Sequence, residues 1–557
     1  MRCAKLSLFS YIARDKPPKR EFMKSDIVVI GAGASGLMAA YSAASELVAS
    51  GSDASVTLLE KMPRPARKIM ITGKGRCNFT NLKQWNDFNS HVRSGANFIK
   101  SSFYNLNPEA LIRFFESYGM RSVVERGDRA YPASYHASDV VDTLVNACHS
   151  VGVKIECEAE VSRIREGYEV ELNDGRKWLC SKIIVATGGL SYPGTGSTGD
   201  GYAWARSLGH STTPLFPSLT ALVPRDYKLP SAPGGASFGS GASLGPGATF
   251  GSGASIGPGS AGAPGDSVCG APGASAANVA LAARVAAPAP TVNVAPAAAA
   301  CAARTGASLR PGCDADPLHI DRSLPLSESG QKLCGVKLKN VGLSLLIEGT
   351  EADSDFGDLD FTDGGIEGPL GFRMSRKAVK AMVNGSRVAL CLDLKPGVEL
   401  TELTARVKAL WKEIDCDPRS KRLREKEKGR ILLGKLMPWD LIPAFVDRNP
   451  GIYTLERRSR TDTKLWVNLV TIAKVLKCWR FDIAGYVGYE RAVVTAGGVS
   501  TDELVAKTLE SRLHQGLYFC GEVLDVDCDT GGYNLHSAFC TGALAGRSAA
   551  LSLLREG

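Results

Sequence analysis

The sequence predicts an α/β fold: a two-dinucleotide-binding, Rossmann-like domain with an inserted β-barrel and helical domain. Three observations carry that expectation. Residues 26–36 read Asp-Ile-Val-Val-Ile-Gly-Ala-Gly-Ala-Ser-Gly, and an acidic residue, Glu60, ends a second apolar run at 56–59. Near the C-terminus a short apolar run, 517–520, leads into Gly521-Glu522, and Gly531-Gly532 then opens a small-residue helix. Between these segments, from residue 331 on, apolar and polar residues alternate in runs that fit strands rather than helices.

The first element is an N-terminal extension, 1–23. Its apolar stretch, 6–13, is short and no A-x-A site follows it, so a signal peptide is not indicated, and Met23 offers an alternative start. A buried strand, Ile27–Ile30, then runs into Gly31, Gly33 and Gly36 and a helix expected over 37–49. The first glycine permits a tight turn, the second lets the backbone approach a pyrophosphate, and the third lets helix and strand pack closely. Gly31, Ala32, Gly33, Ala34, Ser35 and Gly36 are therefore candidate pyrophosphate-binding residues, at a helix end whose free N–H groups and dipole favour anions. Glu60, 24 positions after Gly36, is placed to accept the ribose hydroxyls of an adenosine, with Lys61 beside it.

A basic loop follows, punctuated by glycine. Lys68, Gly73, Lys74, Gly75, Arg76 and Asn78 can turn back over a dinucleotide and offer backbone and charged donors. Cys77 lies inside this loop. Lys74 and Arg76 can acidify a neighbouring thiol, but no second cysteine stands at CxxC spacing, which favours packing or cofactor contact over a nucleophile. Further on, Val161 and the run 183–189, which ends in Thr187, Gly188 and Gly189, supply strands whose backbone passes close to the cofactor.

The C-terminal segment selects the dinucleotide. Gly521, Glu522 and Asp525 suit a ribityl and pyrophosphate, and Gly531, Gly532, Tyr533 and Asn534 open a helix that can face a flavin. Reduced flavin carries negative charge near N1, which a helix N-terminus stabilises. A dehydrogenase that binds only NAD has no need of this second contact, so FAD is the expected cofactor. Cys77, Tyr533 and His536 are the candidate catalytic residues, with the catalytic acid unassigned.

The chain resembles the BaiN/RdsA-type flavoproteins, bacterial FAD-dependent oxidoreductases. The resemblance rests on residues 27–37, on Ala-Arg-Lys-Ile-Met-Ile-Thr-Gly-Lys-Gly-Arg-Cys-Asn-Phe-Thr-Asn at 66–81, and on residues 131–141. It continues through Ala-Thr-Gly-Gly-Leu-Ser-Tyr-Pro-Gly-Thr-Gly-Ser-Thr-Gly-Asp-Gly at 186–201, Phe-Thr-Asp-Gly-Gly-Ile-Glu-Gly-Pro at 361–369, 495–499 and 521–534. Only 1–25 and about 228–328 fall outside it. The resemblance implies saturation of a conjugated C=C bond, either in a small molecule such as a bile-acid intermediate or in a uridine of ribosomal RNA.

Residues 231–310 differ in kind. Of these 80 positions, 58 are Ala, Gly, Ser or Pro, too few apolar side chains for a core. The hexad repeat at 235–258 gives little more than one coil of a β-helix, so a disordered linker is expected. A β-rich part at 329–395 and a helical part at 397–480 follow, with strands at 336–346 and 387–392 and helices at 401–414 and 430–447. The flavin domain is thus expected to be discontinuous, 24–222 plus 484–557, enclosing an insert at 223–483.

Composition narrows the function. No run of about 18 apolar residues exists, so no membrane span is expected. Fifteen cysteines without framework or metal spacing read as reduced thiols of a cytoplasmic enzyme with no metal. Of the net charge of +9, residues 1–25 carry +5 and 231–310 carry +2, which leaves +2 for the rest. The positive charge that remains is local: seven basic residues between 419 and 430, then Arg457, Arg458, Arg460 and Lys464. Dihydrouridine formation in ribosomal RNA leads this reading. Its rivals are a reductase or oxidase of a small enone or amine, and a non-enzymatic flavin redox sensor. No second GxGxxG stands out, so NAD(P)H is expected as a transient electron donor over the flavin.

Overall fold

The computed structural model describes residues 22–165, 167–229, 316, 318–457 and 463–556. Residues 1–21 of the N-terminal extension, the expected linker 231–310, Arg458 and Arg460 lie outside the described residues. The described chain holds two hydrophobic cores.

A five-stranded parallel sheet centres the first core. Its order is Leu517–Phe519, Lys182–Val185, Ile27–Ile30, Val56–Leu59, Lys154–Glu156. The middle strands are buried at every position, because helices cover a parallel sheet on both faces. Ala34–Ala49, Ala137–Ser150 and the C-terminal helix Tyr533–Glu556 contribute to this core. Parallel strands bring their carboxyl ends to one edge, so Gly31, Glu60, Ala186 and Gly521 emerge together there. Two glycines fix the turn. Gly31 sits at φ +100°, and a Cβ there would lie 2.7 Å from Ala186 O. A Cβ on Gly36 would lie 1.8 Å from Gly31 O, so the helix can approach its own strand only at a glycine.

The second core fills a closed six-stranded barrel. Its order is Leu222–Pro224, Gly365–Glu367, Thr350–Thr362, Lys337–Ile347, Val388–Asp393, Trp479–Tyr486. The long hairpin 337–362 turns at Glu348-Gly349, both with positive φ, as a two-residue turn requires. Leu343, Leu345, Leu359, Phe361, Leu390, Leu392 and Phe481 are among its buried side chains. Helices Gly368–Val383, Leu400–Cys416, Glu425–Leu436, Ile442–Arg448 and Leu469–Lys477 add to this core. The two cores are joined by the pair of strands Phe216–Ser218 and Val494–Ala496.

The structure differs from the sequence reading at several places, and two expected bounds, 23 and 222, fall inside the strands Phe22–Lys24 and Leu222–Pro224. The first helix begins at Ala34 rather than 37, because Gly33 serves as its N-cap and the small residues behind it carry no periodic signal. The single helix expected over 430–447 is two helices, parted where Met437 is extended ahead of Pro438. The expected boundary at 484 falls inside the barrel strand Trp479–Tyr486. Finally, Cys391 on a barrel strand forms a disulfide with Cys478, which lies between the helix Leu469–Lys477 and the neighbouring strand Trp479–Tyr486, with Cα atoms 5.0 Å apart, where free thiols were expected throughout.

Candidate functional site

One cleft opens at the carboxyl edge of the parallel sheet. It encloses about 1350 Å³ of non-protein space, open solvent at its mouth included. Gly31, Ala32, Gly33, Ala34, Ser35, Glu60, Lys61, Lys68, Val161, Thr187, Gly188, Gly521, Glu522 and Asn534 line it together. Two helix ends meet there: that of Ala34–Ala49, and that of the C-terminal helix through Asn534, Leu535 and Ser537. Neither helix has an acidic residue in its first turn, so neither positive end is neutralised from within.

The cleft has the marks of an anion cradle. Gly33 caps the first helix without a side-chain hydrogen bond, and a Cβ there would meet nothing within 4 Å. Its backbone therefore faces open space, and a side chain would occupy it. Thr187 Oγ1, also lining the cleft, is buried without a hydrogen-bond partner. An unpaired hydroxyl and a bare helix end both suit the phosphates and hydroxyls of a dinucleotide.

The acidic residues are held in defined places. Glu60 accepts from Ala32 N (2.8 Å) and Met62 N (2.9 Å), so it braces the glycine turn as well as lining the cleft. Burial pushes its carboxyl up, and those two backbone bonds oppose the shift. Glu522 accepts from Ser191 Oγ (2.5 Å), Thr495 N (2.8 Å) and Lys68 Nζ (2.7 Å). Lys61 pairs with Asp200 at 2.6 Å. Asp200 escaped the sequence reading: the Thr198-Gly-Asp200 tripeptide reads as a turn, and only the fold sets it opposite Lys61.

Other expected residues stand beside the cleft rather than in its lining. Gly36 is packed against its own strand, and Gly189 lies against Thr495 and Glu522. Asp525 accepts from Ser94 Oγ at 2.8 Å. Gly73 has φ +56° in the basic loop. Asn78 donates to Thr80 O and Ala130 O, while its Oδ1 is buried and unpaired. Gly531 and Gly532 have positive φ, and a Cβ on Gly532 would lie 2.5 Å from Thr80 O. Tyr533 stacks on His91 with ring centroids 4.3 Å apart. Burial pushes its phenol up to about 12, so it stays protonated. Arg76 turns away to Glu125, Tyr131 and Tyr135.

Two candidate catalytic residues are sealed in. Cys77 is fully buried, and that burial pushes its thiol up to about 12 despite Lys74 and Arg76 nearby in sequence. His536 is also fully buried, which lowers it to about 3, and its Nδ1 meets Thr80 Oγ1 at 3.0 Å. Neither lines the cleft.

The sequence pattern and this cleft agree with the family comparison. The family model for the HI0933-like protein Rossmann domain matches residues 25–548. The chain belongs to this family of Rossmann flavoprotein oxidoreductases. It is 27% identical to a 3-dehydro-bile acid delta(4,6)-reductase of Clostridium scindens, over 94% of this chain and 98% of that protein. It is 25% identical to a ribosomal RNA dihydrouridine synthase of Haemophilus influenzae, over 96% and 99%, and 24% identical to one of Escherichia coli, over 92% and 95%. Among solved structures, a 3-ketosteroid-delta4-(5alpha)-dehydrogenase from Rhodococcus jostii RHA1 aligns over 96% of this chain and 98% of its own, with a TM-score of 0.40 and 12% identity. A flavocytochrome c3 fumarate reductase aligns over 96% and 79%, with a TM-score of 0.37 and 15% identity. Among the described residues no helix is long and apolar enough to cross a membrane, and no cluster of His, Cys, Asp and Glu could hold a metal ion.

Proposed function

We propose that this chain is an FAD-dependent oxidoreductase that saturates a conjugated C=C bond, with a uridine of ribosomal RNA as substrate and NAD(P)H as electron donor. One observation carries the cofactor: a single cleft joins the bare N-terminus at Gly33, the Gly521-Glu522 segment and the start of the C-terminal helix. Gly31–Gly36 would hold the pyrophosphate, Glu60 and Lys61 the adenosine side, and Glu522 with Lys68 the ribityl. The Gly531–Asn534 turn would meet the ring. When bound, the flavin supplies hydride chemistry. The first core then serves as a discontinuous cofactor domain, and the barrel with its helices shapes the substrate side.

The RNA reading is supported by the segment 419–430. Lys428 is buried against Asp415 at 2.6 Å, but Arg419, Lys421, Arg422, Arg424, Lys426 and Arg430 are exposed, with no ion-pair partner among the described residues. Free cations on one surface are what phosphate binding needs. The small-molecule reading is supported instead by the likeness to the bile-acid reductase.

Two measurements test this reading. The purified protein should carry non-covalent FAD, identified by mass after release; FMN or no flavin after reconstitution refutes the cofactor. Ribosomal RNA from a deletion strain should lack one dihydrouridine by nucleoside mass spectrometry. Unchanged dihydrouridine turns the substrate reading to the small molecule.

A further inference from the structure

Beside the cleft lies a group that the cofactor reading leaves unused. Arg76 places its guanidinium 4.8 Å from the ring centroid of Tyr131 and 5.7 Å from that of Tyr135. The two rings are 5.9 Å apart. Tyr131 is buried, whereas Tyr135 is 37% exposed. Glu125 accepts one long guanidinium hydrogen bond, at 3.4 Å, and offsets the charge of Arg76.

This arrangement is built at a backbone cost. Lys74, Cys77 and Tyr135 all have positive φ, a conformation that side chains other than glycine's rarely adopt. Strain of this kind persists where surrounding structure imposes it and gathers at functional sites. The group is also tied to the cleft. Asn81, on the strand paired with Tyr131's strand, donates to Gly531 O at 3.1 Å, in the turn that opens the C-terminal helix. Thr72, two residues before Lys74, lines the cleft itself.

We propose that Tyr135 and Arg76 form a stacking platform for an unpaired nucleobase of an RNA substrate, next to the flavin end of the cleft. The proposal rests on the RNA reading above and adds how the base is received. A planar aromatic face and a guanidinium plane are the surfaces on which proteins stack unpaired bases. A phosphate site would leave the arginine unpaired, and here Glu125 offsets it. Stacking at Tyr135 and phosphate contact at 419–430 thus divide the work between base and backbone.

The test uses the FAD-loaded protein and a labelled single-stranded uridine-rich oligonucleotide, read by fluorescence anisotropy over a range of salt. Tyr135→Ala should weaken binding by about 5- to 150-fold, the range for one lost base stack. The slope of log affinity against log salt should be unchanged, since no phosphate contact is removed. Tyr135→Phe should bind like the parent, and all three proteins should show the same flavin absorbance. Should Tyr135→Ala fail to fold, Arg76→Gln gives the same comparison. The proposal is overturned if Tyr135→Ala binds as tightly as the parent, or if its salt slope falls as after loss of a phosphate contact. A parent protein that binds no single-stranded RNA would instead remove the RNA reading itself.

Discussion

Gly33 and Gly36 stand three residues apart in one glycine-rich turn, and the structure separates their roles sharply enough for a paired experiment. An alanine at 36 would put its Cβ 1.8 Å from Gly31 O. That is an overlap of more than 1 Å, and neither atom is at the end of a flexible side chain. Overpacking of this kind costs about 1–3 kcal/mol or more. Gly36→Ala should therefore lower the thermal midpoint of the flavin-free protein. An alanine at 33 meets nothing within 4 Å and keeps an ordinary extended backbone, at φ −80°. Its intrinsic cost is that of a poorer helix cap, about 1 kcal/mol or less. Its Cβ would instead fill the space that a pyrophosphate needs. Losing one charge-assisted backbone hydrogen bond, worth about 1.5–3 kcal/mol, would weaken FAD about 10- to 150-fold. The assay is differential scanning calorimetry of each apoprotein beside a fluorescence titration with FAD. If Gly33→Ala binds FAD as the parent does, the cleft is not the pyrophosphate site. If Gly36→Ala keeps the parent midpoint, the packing argument is wrong.

Three further outcomes follow from other parts of the chain. Asp527 is 1% exposed and paired with Arg376 at 2.5 and 2.9 Å, so Arg376→Met leaves a buried carboxylate alone and should cost about 3–5 kcal/mol in chemical denaturation, with Asp527→Leu in the same chain restoring most of it; a single-variant loss below about 1 kcal/mol would mean that the carboxylate finds another partner. His536 is depressed to about 3 from an ordinary value near 6.5, so the unfolded chain binds a proton that the folded chain refuses; stability is full above about pH 6.5 and falls as pH drops toward 3. His536→Gln should flatten that fall, and an unchanged acid limb would assign it to other groups. Replacing Lys421, Arg422, Arg424 and Lys426 with alanine should reduce the salt slope of RNA binding by about 0.7–0.9 per lost contact and leave the flavin spectrum alone; a parent-like slope reduces the segment to a solvated face.

The parts of this site that were legible in the sequence are those where backbone conformation demands a residue type. Gly31 and Gly36 each answer a steric need that holds in any chain with this turn, Gly33 leaves open space at the helix end, and Glu60 ends a strand whose partner is only a helix away. The barrel strands at 337–347 and 388–393 were legible because alternation marks a half-buried surface. What escaped depends on pairing across the fold. Lys61 meets Asp200, 139 positions later, and no local pattern marks that pair. The state of Cys77 was legible only in part: neighbouring basic residues suggest an acidified thiol and the lack of a second cysteine favours packing, while the burial that pushes the thiol up is set by the core. Burial is a property of the whole chain. Arg76, expected near the cofactor, lies against Tyr131 and Tyr135, which arrive on and just after a hairpin that the loop's own sequence does not announce.

The separation between the two halves of the cleft is also set by packing, and this bears on why the ligand should be a dinucleotide. The first helix presents its N-terminus at Gly33, and the C-terminal helix presents its own at Tyr533. The two helices touch at main-chain distance: a Cβ on Gly542 would lie 2.2 Å from Ser35 O, and one on Gly546 would lie 2.0 Å from Ala39 O. Each pair is four residues apart on its helix, so one face of each is locked against the other over a full turn. Thr541 adds a further tie, since its Oγ1 accepts from Gly521 N at 3.0 Å and so binds the helix to the Gly521-Glu522 segment. Sliding one helix would place these glycines opposite larger residues and force the backbones apart. The distance between the two positive helix ends is therefore a fixed property of the fold, held by Ala39, Gly542 and Gly546 outside the cleft and by Ser35, Gly521 and Thr541 in its lining. A ligand that satisfies both ends must be of one length, which suits a molecule with a phosphate bridge at one point and a reducible ring at a set distance from it. On the reading proposed above, a mononucleotide such as FMN would leave the cleft beside Glu60 and Lys61 unfilled.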